Sequence, residues 1–229
     1  MLTRPIEDSK VLISKLKSLG HDVSHMPVIK VKRRELINLK YEEYSGIIFT
    51  SSNSIKFLET KNISKSIYCF CVGSATEKLA LEKGFQNVYA AGGNVRNLKE
   101  IIIQNFSKKI GKLLYVSGEI VSSNLHKELK DENFDIDRVI NYEVEHNNDL
   151  DLNFIEQMKS FMPEIIYVYS ENSAKSLLKI IKKYELVDYW MNTNLMCLGE
   201  KTSSVLNEIK WKKIFLFNPG DEEFLLYKI

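Results

Sequence analysis

The sequence lacks any apolar run near the roughly 20 residues that cross a membrane, and its first segment, MLTRPIEDSK, has no apolar h-region. A cytoplasmic protein without signal peptide or membrane contact is expected. Cysteine is scarce: Cys69, Cys71 and Cys197 are an odd number, and a Cys-x-Cys inside an apolar run is not a zinc spacing. They read as reduced, buried residues. Charge of one sign is also missing. The 32 Lys and Arg against 30 Asp and Glu exclude a nucleic-acid protein that works by bulk charge. A small anionic ligand stays open, because backbone N–H groups bind anions without a basic total.

The usual chemical signatures are absent too. There is no G-x-x-x-x-G-K-[ST], no G-x-G-x-x-G, no H-E-x-x-H and no C-x-x-C. That leaves no motif for nucleotide, dinucleotide or metal, and neither cofactor nor metal is expected. The four histidines, His21, His25, His126 and His146, have no Ser or Cys partner at a recognisable spacing.

What is present is an alternation. Short apolar runs (IIF, LLYV, IIYVY) alternate with helical patterns along all 229 residues. Continuous apolar runs fit strands buried on both faces, hence parallel sheets covered by helices: an α/β protein with more strands than one small unit holds. The pattern predicts helices over 9–19, 54–58, 75–83, 98–106, 122–130, 152–161, 173–183 and 203–209. It predicts strands over 46–50, 66–72, 88–91, 113–116, 136–145, 165–169, 195–198 and 214–217. A strand at Leu2–Thr3 and a short last helix over 220–227 complete the pattern.

The organising feature is a repeat. Residues 47–58 read IIFTSSNSIKFL and residues 165–178 read IIYVYSENSAKSLL, each running from a strand through Ser-x-Asn-Ser into a helix. Further on, VGSAT at 72–76 matches LGEKT at 198–202, in the same order. A duplicated α/β domain accounts for both pairs at once.

In an open α/β sheet, ligands bind beyond the carboxyl ends of the strands. The following helix presents unpaired N–H groups and the positive end of its dipole there. Five corners have this form: Thr50, Ser51, Ser52, Asn53 and Ser54; Gly73, Ser74 and Thr76; Ser117, Gly118 and Glu119; Ser170, Asn172 and Ser173; Gly199, Lys201 and Thr202. Ser, Thr and Asn are also the preferred N-caps, so any one corner is equally a cap. Five together favour a polar, anionic ligand. Lys201 adds a charge or points to water. Arg4, after the first strand, is a further carboxylate partner or a surface ion pair.

In order, LTRP at 2–5, LGHDV at 19–23 with Pro27, IIFTSSNS, VGSAT and YVSGE at 115–119 resemble the uroporphyrinogen-III synthase family. VINYEV around Tyr142, YSENSA at 169–174 and CLGEKT at 197–202 continue the resemblance over nearly the whole chain. It implies two flavodoxin-like parallel-sheet domains joined by a two-stranded extended linker, the HemD-like fold. Domain one would comprise 1–29 and 143–229, domain two 30–142, with linkers near 26–33 and 139–146. The corners of both domains would line one cleft, and the two linkers would let the domains rotate.

The resemblance also implies the activity, a lyase that cyclises hydroxymethylbilane with loss of water and inversion of ring D. The substrate itself supplies most of the electronic push, so positioning and charge placement suffice. The resemblance points to Tyr142 as proton donor to the leaving hydroxyl, since a phenol is protonated at neutral pH. Alternatively, Tyr142 only packs in the linker. Thr76, Thr202, Ser51 and Ser170 match the family's substrate-binding positions. Hydroxymethylbilane synthase would hand over the substrate, and a monomer is expected. From another class, a non-catalytic cytosolic two-domain binding protein or sensor for a small polyanion would bind without turnover.

Overall fold

Parallel strands buried on both faces organise the molecule, as their continuous apolar runs require. The computed structural model describes residues 1–36, 39–92, 94–218 and 221–222. The helix expected over 220–227 lies almost wholly outside them. In chain order the elements are α1 (Ile6–Ser18), β1 (Ile29–Arg33), β2 (Tyr44–Phe49), α2 (Ser52–Lys56), β3 (Tyr68–Val72) and α3 (Ser74–Glu82). Then come β4 (Asn87–Ala91), α4 (Val95–Asn105), β5 (Lys112–Gly118), α5 (Leu125–Asp131) and β6 (Ile136–His146). The last are α6 (Leu152–Ser160), β7 (Ile165–Val168), α7 (Glu171–Lys183), β8 (Asn194–Leu198), α8 (Glu200–Val205) and β9 (Lys213–Phe217). Two 3₁₀ turns, Tyr41–Glu43 and Val187–Asn192, left no mark in the apolar pattern.

The chain divides into two units, residues 1–30 with 145–229 and residues 31–144. β1 and β6 carry the chain from one unit to the other and are neighbours in one sheet. That sheet has the order β1-β6-β5-β2-β3-β4, and β6-β5-β2-β3-β4 pair in parallel. Alternate residues feed opposite faces. Ile47, Phe49, Cys69 and Cys71 pack on one side; Ile48, Phe70, Leu113 and Tyr115 pack on the other. β3 and β4 lie to one side of β2, β5 and β6 to the other. This makes a topological switch point between β2 and β5, where a doubly wound sheet opens a crevice at its carboxyl edge.

In the other unit, β7-β8-β9 form a parallel sheet, and Leu2 bridges both His25 and Tyr167. The first strand is reduced to this bridge, yet Leu2 is fully buried and lies between His25 and Tyr167. Its switch point lies between Leu2 and β7. α7 shows why this unit folds. Ser173, Ala174, Leu177, Ile180 and Ile181 recur at helical spacing, are all buried, and face the core around Trp190.

Helix starts differ from the apolar pattern where caps decide them. α7 begins at Glu171 because Ser170 accepts the Ser173 N–H, and α8 begins at Glu200 behind Gly199. α5 starts three residues late, because Asn124 caps it by accepting the Lys127 N–H. Residues 119–123 are thereby left as a loop over the end of β5.

The cysteines are free and buried. Burial pushes the Cys197 thiol up to about 12. The Cys69 thiol is raised mainly by its contact with Cys71, so neither Cys69 nor Cys197 is a reactive thiolate.

Candidate active site at the strand ends

At the β2–β5 switch point, Thr50 Oγ1 lies 3.0 Å from the Tyr115 hydroxyl. Ser51 caps α2 by accepting the Asn53 N–H at 3.3 Å. The half-buried side chains of Ser52 and Asn53 make no hydrogen bond to a described residue. Ser54 is buried, and its hydroxyl has no partner among the described residues.

Tyr142 reaches this point through an irregularity in β6. Ser117 pairs with Ile140 but Gly118 pairs with Tyr142, so Asn141 is an extra residue. Such a bulge re-aims the side chain that follows it. Asn141 is buried and donates from Nδ2 to the Ser54 carbonyl at 2.7 Å, tying the bulge to the β2 corner. Tyr142 is 9% exposed, covers Gly118 and packs near Phe57 with ring centroids 6.3 Å apart. Its hydroxyl makes no hydrogen bond to a described residue.

The β5 corner is held by Arg138, which faces Tyr115 in register. Its Nε donates to Ser117 Oγ at 2.8 Å, and its Nη2 donates to the carbonyls of Gly118 at 2.8 Å and Glu119 at 2.9 Å. The Glu119 N–H is taken by the Tyr142 carbonyl at 3.0 Å. The Glu119 carboxylate pairs with Arg34 at 3.0 Å. Ser117 is fully buried, and its hydroxyl both accepts from Arg138 and donates to the Gly118 carbonyl. That hydroxyl builds the loop. Burial raises the Tyr115 phenol above its ordinary value and nearby Tyr142 adds to this, while the Thr50 hydrogen bond and the Arg138 charge oppose it.

Gly73, Ser74 and Thr76 sit one strand further out, after β3. Gly73 has φ +80° and ψ 151°, and its counterpart Gly199 has φ +80° and ψ 165°. The duplicated Gly-x-x-Thr is therefore one backbone device used twice. Thr76 and Thr202 are both buried, and Thr202 donates its hydroxyl to the Leu198 carbonyl at 3.0 Å. Ser74 and Lys201 are exposed.

At the switch point of the other unit, the Arg4 guanidinium stacks 3.9 Å from the Tyr169 ring centroid and lies 3.8 Å from Glu222. Its Nε is buried without a described partner, as is the Tyr169 hydroxyl. Burial pushes the Tyr169 phenol well above its usual range, against the opposing charge of Arg4. Ser170 Oγ lies 2.9 Å from Ser173 Oγ, and Asn172 leaves its side-chain amide without a described partner. Lys201 acts electrostatically on Glu171, whose carboxyl lies below its ordinary range chiefly through Lys175.

Two further departures from the sequence reading concern His146 and Arg138. Spacing offered His146 no serine, but Ser176 Oγ lies 2.5 Å from its Nδ1. This is no nucleophile: Ser176 is fully buried and donates to the Asn172 carbonyl at 3.1 Å. Arg138 belongs to none of the five corner motifs; its signal in the sequence is a cation inside the strand run IDRVIN, which marks a side chain with a fixed partner.

The family model described as uroporphyrinogen-III synthase HemD matches residues 10–216. The chain belongs to the uroporphyrinogen-III synthase family. Its fold resembles that of the uroporphyrinogen-III synthetase from Helicobacter pylori 26695, with a TM-score of 0.64, 20% identity, and 92% of this chain and 96% of that one covered. It also resembles a mutant uroporphyrinogen III synthase from the extremely thermophilic bacterium Thermus thermophilus, with a TM-score of 0.61, 10% identity, and 99% and 96% covered. An uncharacterized protein of Rickettsia prowazekii (strain Madrid E) is 23% identical over 100% of this chain and 97% of its own length. Among the described residues, no helix is long and apolar enough to cross a membrane.

Proposed function

We propose that this chain is a uroporphyrinogen-III synthase, a lyase of haem biosynthesis that converts hydroxymethylbilane to uroporphyrinogen III and water. The carrying observation is the family match over residues 10–216, together with a Tyr142 hydroxyl that has no hydrogen bond among the described residues, at a switch point of the sheet. The pyrrole nitrogen pushes out the terminal hydroxyl, and Tyr142 supplies the proton with which it leaves as water. The substituted α-carbon of ring D attacks the methylene of the resulting azafulvene. The spiro-pyrrolenine formed there breaks its bond to ring C and recloses through the free α-carbon of ring D, which loses the proton that restores Tyr142, leaving ring D inverted.

The chain's own contribution is to hold that geometry. Each of the two domains, 1–29 with 143–229 and 30–142, carries strand-end corners of its own. Ser52, Asn53, Asn172, Ser74 and Lys201 have side chains free to meet carboxylates. Ser51, Ser170, Gly73, Gly199, Thr76 and Thr202 shape the helix starts whose N–H groups do the same. Arg4 offers a stacked guanidinium. The protein acts as a cytoplasmic monomer and receives its substrate from hydroxymethylbilane synthase.

The test generates hydroxymethylbilane in situ, adds the protein, oxidises the products and separates type I from type III uroporphyrin. Type III is the expected product. Type I alone from folded protein rejects the synthase and leaves a polyanion-binding protein.

A further inference from the structure

A pocket of about 310 Å³ in the unit of residues 31–144 is lined by none of the corner residues. Arg33, Lys56, Lys61 and Lys83 line it, with Glu59 and Thr60 between them. Separate elements bring these cations together. Arg33 ends β1, Lys56 ends α2, Lys61 lies in the loop before β3, and Lys83 is the C-cap of α3. Lys65 stands beside them and donates to the Thr60 carbonyl at 2.6 Å.

Cations at helix C-termini complement the dipole, which accounts for Lys56 and Lys83. It does not account for Arg33 or Lys61. The side chains of Arg33, Lys61 and Lys83 make no hydrogen bond or ion pair with a described residue. The one carboxylate, Glu59, is turned to the backbone, accepting the Lys61 N–H at 3.2 Å. Its charge also falls on the Tyr41 phenol, which Arg33 faces too. Arg33, Lys61 and Lys83 put three like charges around one concavity; they repel each other, and an anion placed among them relieves that repulsion. The Arg33 fork suits an oxyanion with two oxygens, and the lysines suit point contacts.

We propose that this pocket binds a compact polyanion bearing two or more carboxylate or phosphate groups. Its volume is at the small end for ligand sites, which excludes a whole tetrapyrrole and admits the acetate and propionate pair of one pyrrole or a free phosphorylated metabolite. The proposal does not rest on the synthase reading.

Calorimetric titration of the full chain with inorganic pyrophosphate, at low and at high salt, tests it. Uroporphyrin I, a stable octacarboxylate, is titrated in parallel. Pyrophosphate is expected to bind, and salt to weaken it. Lys61→Ala or Lys83→Ala should each weaken it about threefold, and the double variant about tenfold, with unchanged melting temperature. If uroporphyrin binding weakens with the same substitutions, the natural anion is a pair of carboxylates on one pyrrole of a tetrapyrrole. If only pyrophosphate binding weakens, it is a free phosphate. No pyrophosphate binding, or equal binding by the double variant, overturns the proposal, even if the protein makes type III product.

Discussion

A methyl group on Gly118 would sit 2.6 Å from Cε2 and Cζ of Tyr142 and 2.9 Å from its hydroxyl oxygen. Only glycine lets the ring lie here. Gly118→Ala should push Tyr142 out of place, at about 1–3 kcal/mol of stability and about a tenfold to hundredfold loss of turnover. Denaturant unfolding and the isomer assay, run side by side, read the two effects. Full turnover would show that the position of Tyr142 does not matter.

Tyr142→Phe keeps the ring on Gly118 and removes only the hydroxyl. Turnover should fall by roughly tenfold, less than the ~10²–10⁴ attributed to a sole general acid, because water can deliver the same proton. The product should stay type III, since ring placement is unchanged. An unaltered kcat would remove Tyr142 from the proton path.

Arg138→Met keeps the aliphatic stem and deletes three hydrogen bonds, to Ser117 Oγ and to the carbonyls of Gly118 and Glu119. Hydrogen bonds from a charged group are worth about 1.5–3 kcal/mol each, and less where exposed. The loop over 119–123 should loosen, and hydrogen exchange should report it as faster exchange at the Glu119 amide. Unchanged protection there would mean that the Tyr142 carbonyl alone holds the loop.

Gly73→Ala and Gly199→Ala form a matched pair. Both glycines have φ +80°, and an added Cβ would meet nothing within 4 Å at either. The cost is therefore backbone strain alone, about 1–3 kcal/mol each. Gly73→Ala should weaken residues 31–144 and Gly199→Ala the other unit. Limited proteolysis of each variant distinguishes the two.

His146 has its pKa lowered by burial first, then by the charges of Lys179 and Lys175. A histidine held neutral in the fold takes up a proton more readily when unfolded. Its contribution to stability is thus present above the unfolded value near ~6.5 and declines as pH falls below it. Melting temperatures from pH 7.5 to 5.5 should fall more steeply for the natural chain than for His146→Gln. Parallel curves would assign the decline to other groups.

Much of this was legible in the residues. The runs IIF, LLYV and IIYVY had to be doubly buried parallel strands, because nothing polar interrupts them to mark a solvent face. The repeated corners were legible because cap residues and positive-φ glycines act within a few residues of themselves. The start of α5 was less legible: three residues separate its expected and actual starts, because the Asn124 side chain decides which residue caps.

The roles inside the corners were not legible. Ser117, Thr202 and Ser176 look like free hydroxyls in the sequence, and all three are buried and occupied. Arg138 meets Ser117 across 21 residues, and Asn141 meets Ser54 across 87, through strand register and a bulge. Local chemistry settled the strands, the caps and the glycine turns, because their energies depend on near neighbours. Which hydroxyls stay free, and where Tyr142 points, was decided by strand pairing, because a register or a bulge is a property of two segments and is written in neither alone.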